Sequence, residues 1–325
     1  MGRGPVPRAA PGHAQYVRRR CQRPSGHHGF RHYRRHHGSG RPRGRTLSQK
    51  GNTVFQPNEL KRRLAAGEQL LGAWIATGSA TIVEIMGNAG FDFLLIDLEH
   101  GQGELNDLVH MLRAAENTGT RCIVRVPWND PVTLKRVLDA GVDSVMVPMV
   151  ETAAEAAAAV RACHYPPHGA RGYAAPLVRA SNYGLVKDYI HIANENLLLI
   201  VQIESASAAA KAGEIAVVEG IDMVFVGVND LAGSIGRLEQ LDRQDVRALV
   251  AQAEIQIRAS NRWLGTVPSA GGTWDELLAA GYNLLPIASD VTLLRDAAAD
   301  LVRAQRGKRI GHLSKPTRSK AQSGY

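Results

Sequence analysis

CIVRVPWNDPVTLKRVLDAGVDSVMVPMV, residues 122–150, is the stretch whose reading decides the fold. Its ends, CIVRVP (122–127) and SVMVPMV (144–150), are short, β-branched and nearly continuous in apolar residues, while its middle, TLKRVLDAG (133–141), has helical character. A strand with one wet face would alternate apolar and polar residues, so near-continuous runs mark strands covered on both faces. Strand, helix and strand in this order imply a parallel sheet with its helices outside.

Working outward, six more runs of the same kind appear: LGAWIATG (71–78), FLLIDL (93–98), LLLIVQIE (197–204), MVFVGVN (223–229), WLGTVPS (263–269) and LLPIASD (284–290). Helix-like stretches such as TAAEAAAAVRAC (152–163) and DVRALVAQAEIQIRAS (245–260) separate them, and about Thr292 to Gln305 suits a last amphipathic helix. Eight parallel strands alternating with helices imply closure into a (β/α)8 TIM barrel. An open doubly wound sheet is the alternative. It predicts a glycine-rich dinucleotide fingerprint after the first strand, and GSATIVEIMGNAG (78–90) does not have that spacing. One long irregular connection, Tyr165 to about Tyr189, carries a Pro-Pro pair with arginines nearby. A loop of that length in a compact domain reads as a lid or cover.

With 325 residues, 44% of them hydrophobic, the chain can bury a full core. Its formal charge of +9 resembles a nucleic-acid signature until it is located. Residues 1–50 hold twelve Arg and one Lys without an acid, and the tail from Arg306 to Tyr325 holds six more cations without an acid. Between them all thirty acids face only twenty cations, so the folded part is acidic. A nucleic-acid reader carries its basic patch on the folded surface, so no specific nucleic-acid partner is expected. The chain divides into a basic N-terminal extension (1–53) too poor in apolar residues to order, a barrel domain (54–305) and a basic flexible tail (306–325). The alternative for the extension is that the native start lies near Val54. Cys21, Cys122 and Cys163 are widely spaced and odd in number, suggesting neither a disulfide framework nor a cysteine zinc site, and a reducing cytoplasm fits them. No apolar stretch reaches the roughly 18 residues a membrane helix needs, and no secretory signal is legible.

In such a barrel the active site is built from the C-terminal ends of the strands. Those ends carry Trp74; Asp97, Glu99 and His100; Arg125; Gln202 and Glu204; Asn229 and Asp230. Polar groups at one end of otherwise apolar strands should converge on one mouth. Glu204 and Asp230, ending successive strands, can present two carboxylates to a hard divalent cation such as magnesium or manganese. The competing reading makes each a helix cap. His100, in DLEHG, suits a general acid or base by its ordinary titration range, although a lone His is more often structural. Arg125 points from an apolar strand and needs an anionic partner, whether substrate or structural salt bridge. Gln202 is equally readable as a buried amide. Asp139, in LDAG at a helix end, taken alone reads as a solvated helix residue. SAGG (269–272) could hold an anion, but plain loop glycine is the better reading.

DLEHG, VRVPWND, LDAG, VPMVE, QIES and GVNDL, in this order and spacing, resemble the class II pyruvate aldolases of the HpcH/HpaI family over about residues 55–300. The resemblance implies a barrel of the phosphoenolpyruvate/pyruvate-domain type, commonly a homo-hexamer that exchanges its final helix between subunits. It implies a metal-dependent aldolase that cleaves a 4-hydroxy-2-oxo acid to pyruvate, or a similar 2-oxo acid, and an aldehyde, with Mg2+, Mn2+ or Co2+ as Lewis acid and no Schiff-base lysine. On that resemblance Glu204 and Asp230 are the metal ligands, His100 is the base paired with Asp139, and Arg125 holds the pyruvate and its enolate. Asp97 matches a family acid near the histidine. Trp74, Gln202, Asn229, Asp230 and Val267 complete the expected substrate-binding set. GVND departs from the Gly-Pro-Ala or Gly-Ser-Ala step of many members, placing Asn229 where it alters contacts to the substrate carboxylate. The alternatives are a CoA-ester lyase of the citrate lyase β type, for which no nucleotide pocket is evident in the sequence, and a nucleic-acid binder acting through the arginine-rich arm.

Overall fold

The computed structural model describes residues 57–268 and 273–313, with side chains to Arg306. The basic extension, Cys21 and SAGG fall outside these residues. A short helix α1 (Glu59–Ala65) leads into β1 (Leu70–Ile75), α2 (Ala80–Asn88), β2 (Phe93–Asp97), α3 (Leu105–Thr118), β3 (Arg121–Arg125), α4 (Pro131–Asp139), β4 (Ser144–Val147) and α5 (Ala153–Cys163). After a long connection come α6 (Tyr189–Asn196), β5 (Leu198–Ile203), the short α7 (Ala206–Ala210) and α8 (Ala212–Ala216), then β6 (Met223–Val226), α9 (Val228–Ser234) and α10 (Gln244–Ala259). The chain ends in β7 (Trp263–Thr266), α11 (Trp274–Ala279), β8 (Leu284–Ser289) and α12 (Asp290–Leu313). The eight strands are parallel and close in sequence order, with β8 pairing back on β1 through Leu70 opposite Leu284. This is the (β/α)8 barrel expected, and closure removes the open-sheet alternative.

Several helices start where a small polar residue ends the preceding loop and accepts a backbone N–H of the first turn: Ser79, Asp130, Thr152, Ser205 and Thr273. Pro131 follows its cap Asp130 at the first helical position, where its missing donor costs nothing. The strands are short because each crosses only the barrel wall, and alternate residues face opposite ways. Phe93, Leu95, Ile123, Met146, Leu198, Ile200, Met223 and Phe225 fill the interior, while Leu94, Ile96, Val124, Val145, Leu199, Val201 and Val224 pack outward under the helices. Gly72 admits the Phe93 ring, since a β-carbon there would lie 2.4 Å from it. Leu60 and Leu64 of α1 join the interior cluster and close the N-terminal end of the barrel.

The final helix runs eight residues beyond its expected end at Gln305, because nothing breaks it before Pro316. The tail therefore begins as helix, not as flexible chain. The Ala-rich run is a packed helix, with Ala156, Ala159, Ala162 and Cys163 buried. Cys122 and Cys163 are free and buried, and burial pushes both thiols up to about 12. They are inert packing groups. Among the described residues no helix is long and apolar enough to cross a membrane.

Candidate active site

Inward parity positions the site. In β1 the inward set Leu70, Gly72 continues to Trp74; in β2 Phe93, Leu95 continues to Asp97; in β3 Ile123 continues to Arg125; in β5 Leu198, Ile200 continues to Gln202 and Glu204. The same geometry that packs apolar side chains in the lower barrel thus aims polar ones into its C-terminal mouth. The structure gathers Trp74, Asp97, Arg125, Gln202 and Glu204 there.

Arg125 is buried and held by a two-point fork, Nε to Asp97 Oδ1 at 2.9 Å and Nη2 to Asp97 Oδ2 at 2.7 Å. Its Nη1 lies 3.1 Å from Glu99 Oε2, and its guanidinium carbon stands 4.4 Å from the centre of the Trp74 ring. Trp74 is fixed in turn edge-on to Phe225 at 6.4 Å. Asp97 Oδ1 also accepts the backbone N–H groups of Glu99 and His100, shaping the turn after β2. The His100 side chain is 68% exposed, and its Nε2 is 3.9 Å from Glu99 Oε2. It stands open to solvent at the mouth.

Glu204 lies just beyond β5 and is only 3% exposed. Its Oε1 accepts from Gln202 Nε2 at 2.6 Å and its Oε2 from Met149 N at 2.9 Å. Met149 reaches this position with a left-handed φ of 53° in the turn after β4. Burial pushes the Glu204 carboxyl up to about 7; the Met149 N–H opposes this, and the charges of Glu99 and Asp230 add to it. Gln202 Oε1 is buried without a hydrogen-bond partner. Asp230 does not end a strand as expected. Gly227 donates to Ile203 O at 3.0 Å, prolonging the ladder by one bond, and the chain then enters α9, so Asp230 sits exposed in that helix's first turn. There the helix dipole favours its charge. Exposed Asn229 precedes it, and Val267 is half-buried against the interior cluster beside Trp74.

A buried carboxylate, Glu204, that feels the charges of Glu99 and Asp230 beside an orphaned amide oxygen forms an oxygen donor set that a hard divalent cation would relieve. Among the described residues no three His, Cys, Asp or Glu side chains come together as a metal-holding group. Two carboxylates with the remaining positions left to water and substrate fit magnesium-type ions better than zinc.

Asp139 stands apart. It is the last residue of α4, and a helix after a barrel strand carries the chain back from the mouth to the N-terminal end. There it pairs with Arg171 Nη2 at 2.7 Å, with Arg171 buried and stacked 4.4 Å over Tyr165. Within one chain the expected His100–Asp139 pair is not formed. For the same reason the connection from Tyr165 to Tyr189 is no lid over its own mouth. It follows the helix α5 rather than β4 itself, and it is tied to the ends of neighbouring helices: Arg179 bonds Glu116 Oε1 and Ala140 O.

Two contributors escaped the sequence reading. Glu99 stands among the strand-end polar groups expected at the mouth but was given no role, yet its Oε2 lies between His100 and Arg125. Asp290, the acid ending LLPIASD, is buried and accepts from Ala76 N, Thr77 N and Thr77 Oγ1, fastening the loop after β1 to β8 at the mouth. Its place at a strand end was the available signal.

Comparison with known proteins agrees with this fold. The family model described as HpcH/HpaI aldolase/citrate lyase matches residues 70–297. The chain is 42% identical over 249 residues to the 2-dehydro-3,6-dideoxy-6-sulfogluconate aldolase of Pseudomonas putida, covering 77% of this chain and 96% of that one. It is 37% identical over 244 residues to the 4-hydroxy-2-oxo-heptane-1,7-dioate aldolase of Escherichia coli, covering 75% and 93%. Among solved structures it resembles an HpcH/HpaI aldolase/citrate lyase family protein from Burkholderia cenocepacia J2315, with a TM-score of 0.73 at 36% identity, covering 77% of this chain and 99% of that one.

Proposed function

The chain belongs to the HpcH/HpaI aldolase/citrate lyase family, and from that premise we propose that it is a divalent-metal-dependent aldolase cleaving a 4-hydroxy-2-oxo acid to pyruvate, or a similar 2-oxo acid, and an aldehyde. The observation that carries the reading is Glu204: a buried carboxylate at the barrel mouth, held by Gln202 and Met149 N, on the strand next to the one that leads to Asp230.

Glu204 and Asp230 would hold the cation, with Mg2+, Mn2+ or Co2+ suited to the oxygen donors. Once bound, it supplies the Lewis acidity that lets a 2-oxo acid carry enolate charge. Arg125, kept from swinging by its fork to Asp97 and by the Trp74 face, orients the carboxylate end of the substrate. Gln202 and Val267 line the floor, and Asn229 borders the carboxylate. His100 Nε2 takes the proton of the C4 hydroxyl; the C3–C4 bond breaks, the aldehyde leaves, and a proton returned to C3 gives pyruvate. The reverse path joins pyruvate to an aldehyde. Among the described residues no lysine ends a strand, in keeping with chemistry that needs no Schiff base.

Asp139 enters this scheme only through another copy of the chain, since its own barrel separates it from His100. Large apolar side chains exposed on α12, among them Leu294 and Leu301, and on the long connection, among them Leu177 and Leu185, support a homo-oligomer, a hexamer in the family arrangement. The test of the chemistry is inactivation: exhaustive chelation abolishes cleavage and added Mn2+ restores it, while borohydride with substrate leaves activity intact. Activity surviving chelation, or a borohydride-trapped lysine adduct, contradicts the reading.

A further inference from the structure

Arg125 is the group that would hold the substrate carboxylate, yet in this chain it already stands between the anions Asp97 and Glu99. Asp97 occupies Nε and Nη2, and only Nη1 faces the mouth, where it meets Glu99 Oε2 at 3.1 Å. That contact lacks hydrogen-bond alignment, leaving Oε2 buried without a hydrogen-bond partner. The same oxygen is 3.9 Å from His100 Nε2. One carboxylate oxygen therefore looks at both the base and the free edge of the anchor. Among the described residues no other side chain pairs with both, and Asp97 meets His100 through the backbone N–H.

We propose that Glu99 is a positioning residue for the aldol reaction, its Oε2 holding the His100 imidazole over the mouth and withholding Arg125 Nη1 until an anionic substrate replaces it. The inference rests on the aldolase reading and adds a residue to it. A carboxylate oxygen 3.9 Å from Nε2 fixes the direction of the imidazole over the mouth, where it takes the C4 hydroxyl proton and returns it to C3. When a substrate carboxylate engages Nη1, the Glu99 contact with Arg125 is given up, and His100 is left as the neighbour of Oε2. Burial raises the Glu99 carboxyl from its ordinary range, Arg125 and His100 oppose that rise, and Asp97 and Asp230 add to it. These are the charged groups that face it from β2, β3 and α9.

The test is C3 hydrogen–deuterium exchange of pyruvate in D2O, followed by NMR in the metal-loaded full chain, for wild type, Glu99→Gln and His100→Ala. Glu99→Gln is nearly isosteric, and its thermal melt is recorded as the check on folding. The expected result is a fall of about tenfold or more in the maximal exchange rate, with KM for pyruvate unchanged or lower because a competing anion has left Arg125. In the His100→Ala background, Glu99→Gln costs little more, as a residue acting through His100 requires. A raised KM with an unmoved maximal rate, or full additivity with His100→Ala, overturns the inference while wild-type exchange keeps the aldolase reading. Wild-type protein that fails to exchange overturns both.

Discussion

The α-carbon of Gly227 lies so close to Glu204 that a β-carbon built on it would stand 2.7 Å from both Cγ and Oε1 of that residue, and 2.9 Å from Gln202 Nε2. A glycine at the end of β6 is thus what allows the Glu204 carboxylate to occupy its seat. Gly227→Ala is expected to displace Glu204 and Gln202 with little damage to the barrel. Calorimetric titration with Mn2+ should show affinity reduced about tenfold or more while the melting temperature falls by only a few degrees. Unchanged Mn2+ affinity would show that the Glu204 seat is not the metal seat.

Asp97 bears two loads, the fork to Arg125 and the turn that presents Glu99 and His100. Removing one partner of a buried pair leaves the other uncompensated, so Asp97→Ala should cost about 3–5 kcal/mol in urea unfolding as well as activity. Asp97→Asn keeps acceptors for the two backbone N–H groups and should cost less stability than Asp97→Ala. Equal losses for the two variants would place the whole effect in the ion pair.

The metal-free protein should lose stability as pH rises. Glu204 is held up to about 7 and Asp143 up to about 6, both mainly by burial. A carboxyl whose folded value is raised binds its proton more tightly in the folded state, so its contribution is most favourable below the unfolded value near 4 and is lost as pH climbs to the folded value. Chelated protein should therefore melt lower at pH 8 than at pH 5.5, and Mn2+ should recover most of the Glu204 share at pH 8. Glu204→Gln should flatten the dependence in part, leaving the Asp143 share.

Much of this site was legible because strand periodicity carries direction. Trp74, Asp97, Arg125 and Gln202 each extend an apolar strand by one inward step, and Glu204 by a second, so a barrel reading converts their sequence positions into a common mouth. Asp230 was legible as a residue but misplaced by half a turn of helix, since nothing in GVNDL says that the strand stops at Val226. The long connection reads as a lid from its length alone, whereas the intervening α5 returns the chain to the far end before the connection begins. Asp139 also turns on direction: the family pattern names the residue, and α4 runs away from the mouth, so that within one chain Asp139 meets Arg171. Glu99 and Asp290 needed coordinates, because which acid faces which cation depends on turns that no periodicity encodes.

Asp139 offers a clean division between two roles. As the partner of the buried Arg171 it should contribute to stability, and Asp139→Ala should lower the unfolding free energy by about 3 kcal/mol. Asp139→Asn retains a hydrogen-bond acceptor for Arg171 and should recover part of that loss. If the Asn variant melts near wild type yet cleaves substrate poorly, Asp139 also acts at the mouth of a second copy. If its activity follows its stability, the role is structural alone.

The central claim is that Glu204 makes this barrel a metal-dependent aldolase, and pyruvate release tests it most directly. Metal-stripped protein is offered 4-hydroxy-2-oxo acids of graded chain length, with and without Mg2+ or Mn2+, beside Glu204→Ala. The account predicts release that requires the cation, disappears in Glu204→Ala and peaks at one chain length, which identifies the substrate. Release by metal-free protein, or by Glu204→Ala at the wild-type rate, would contradict it.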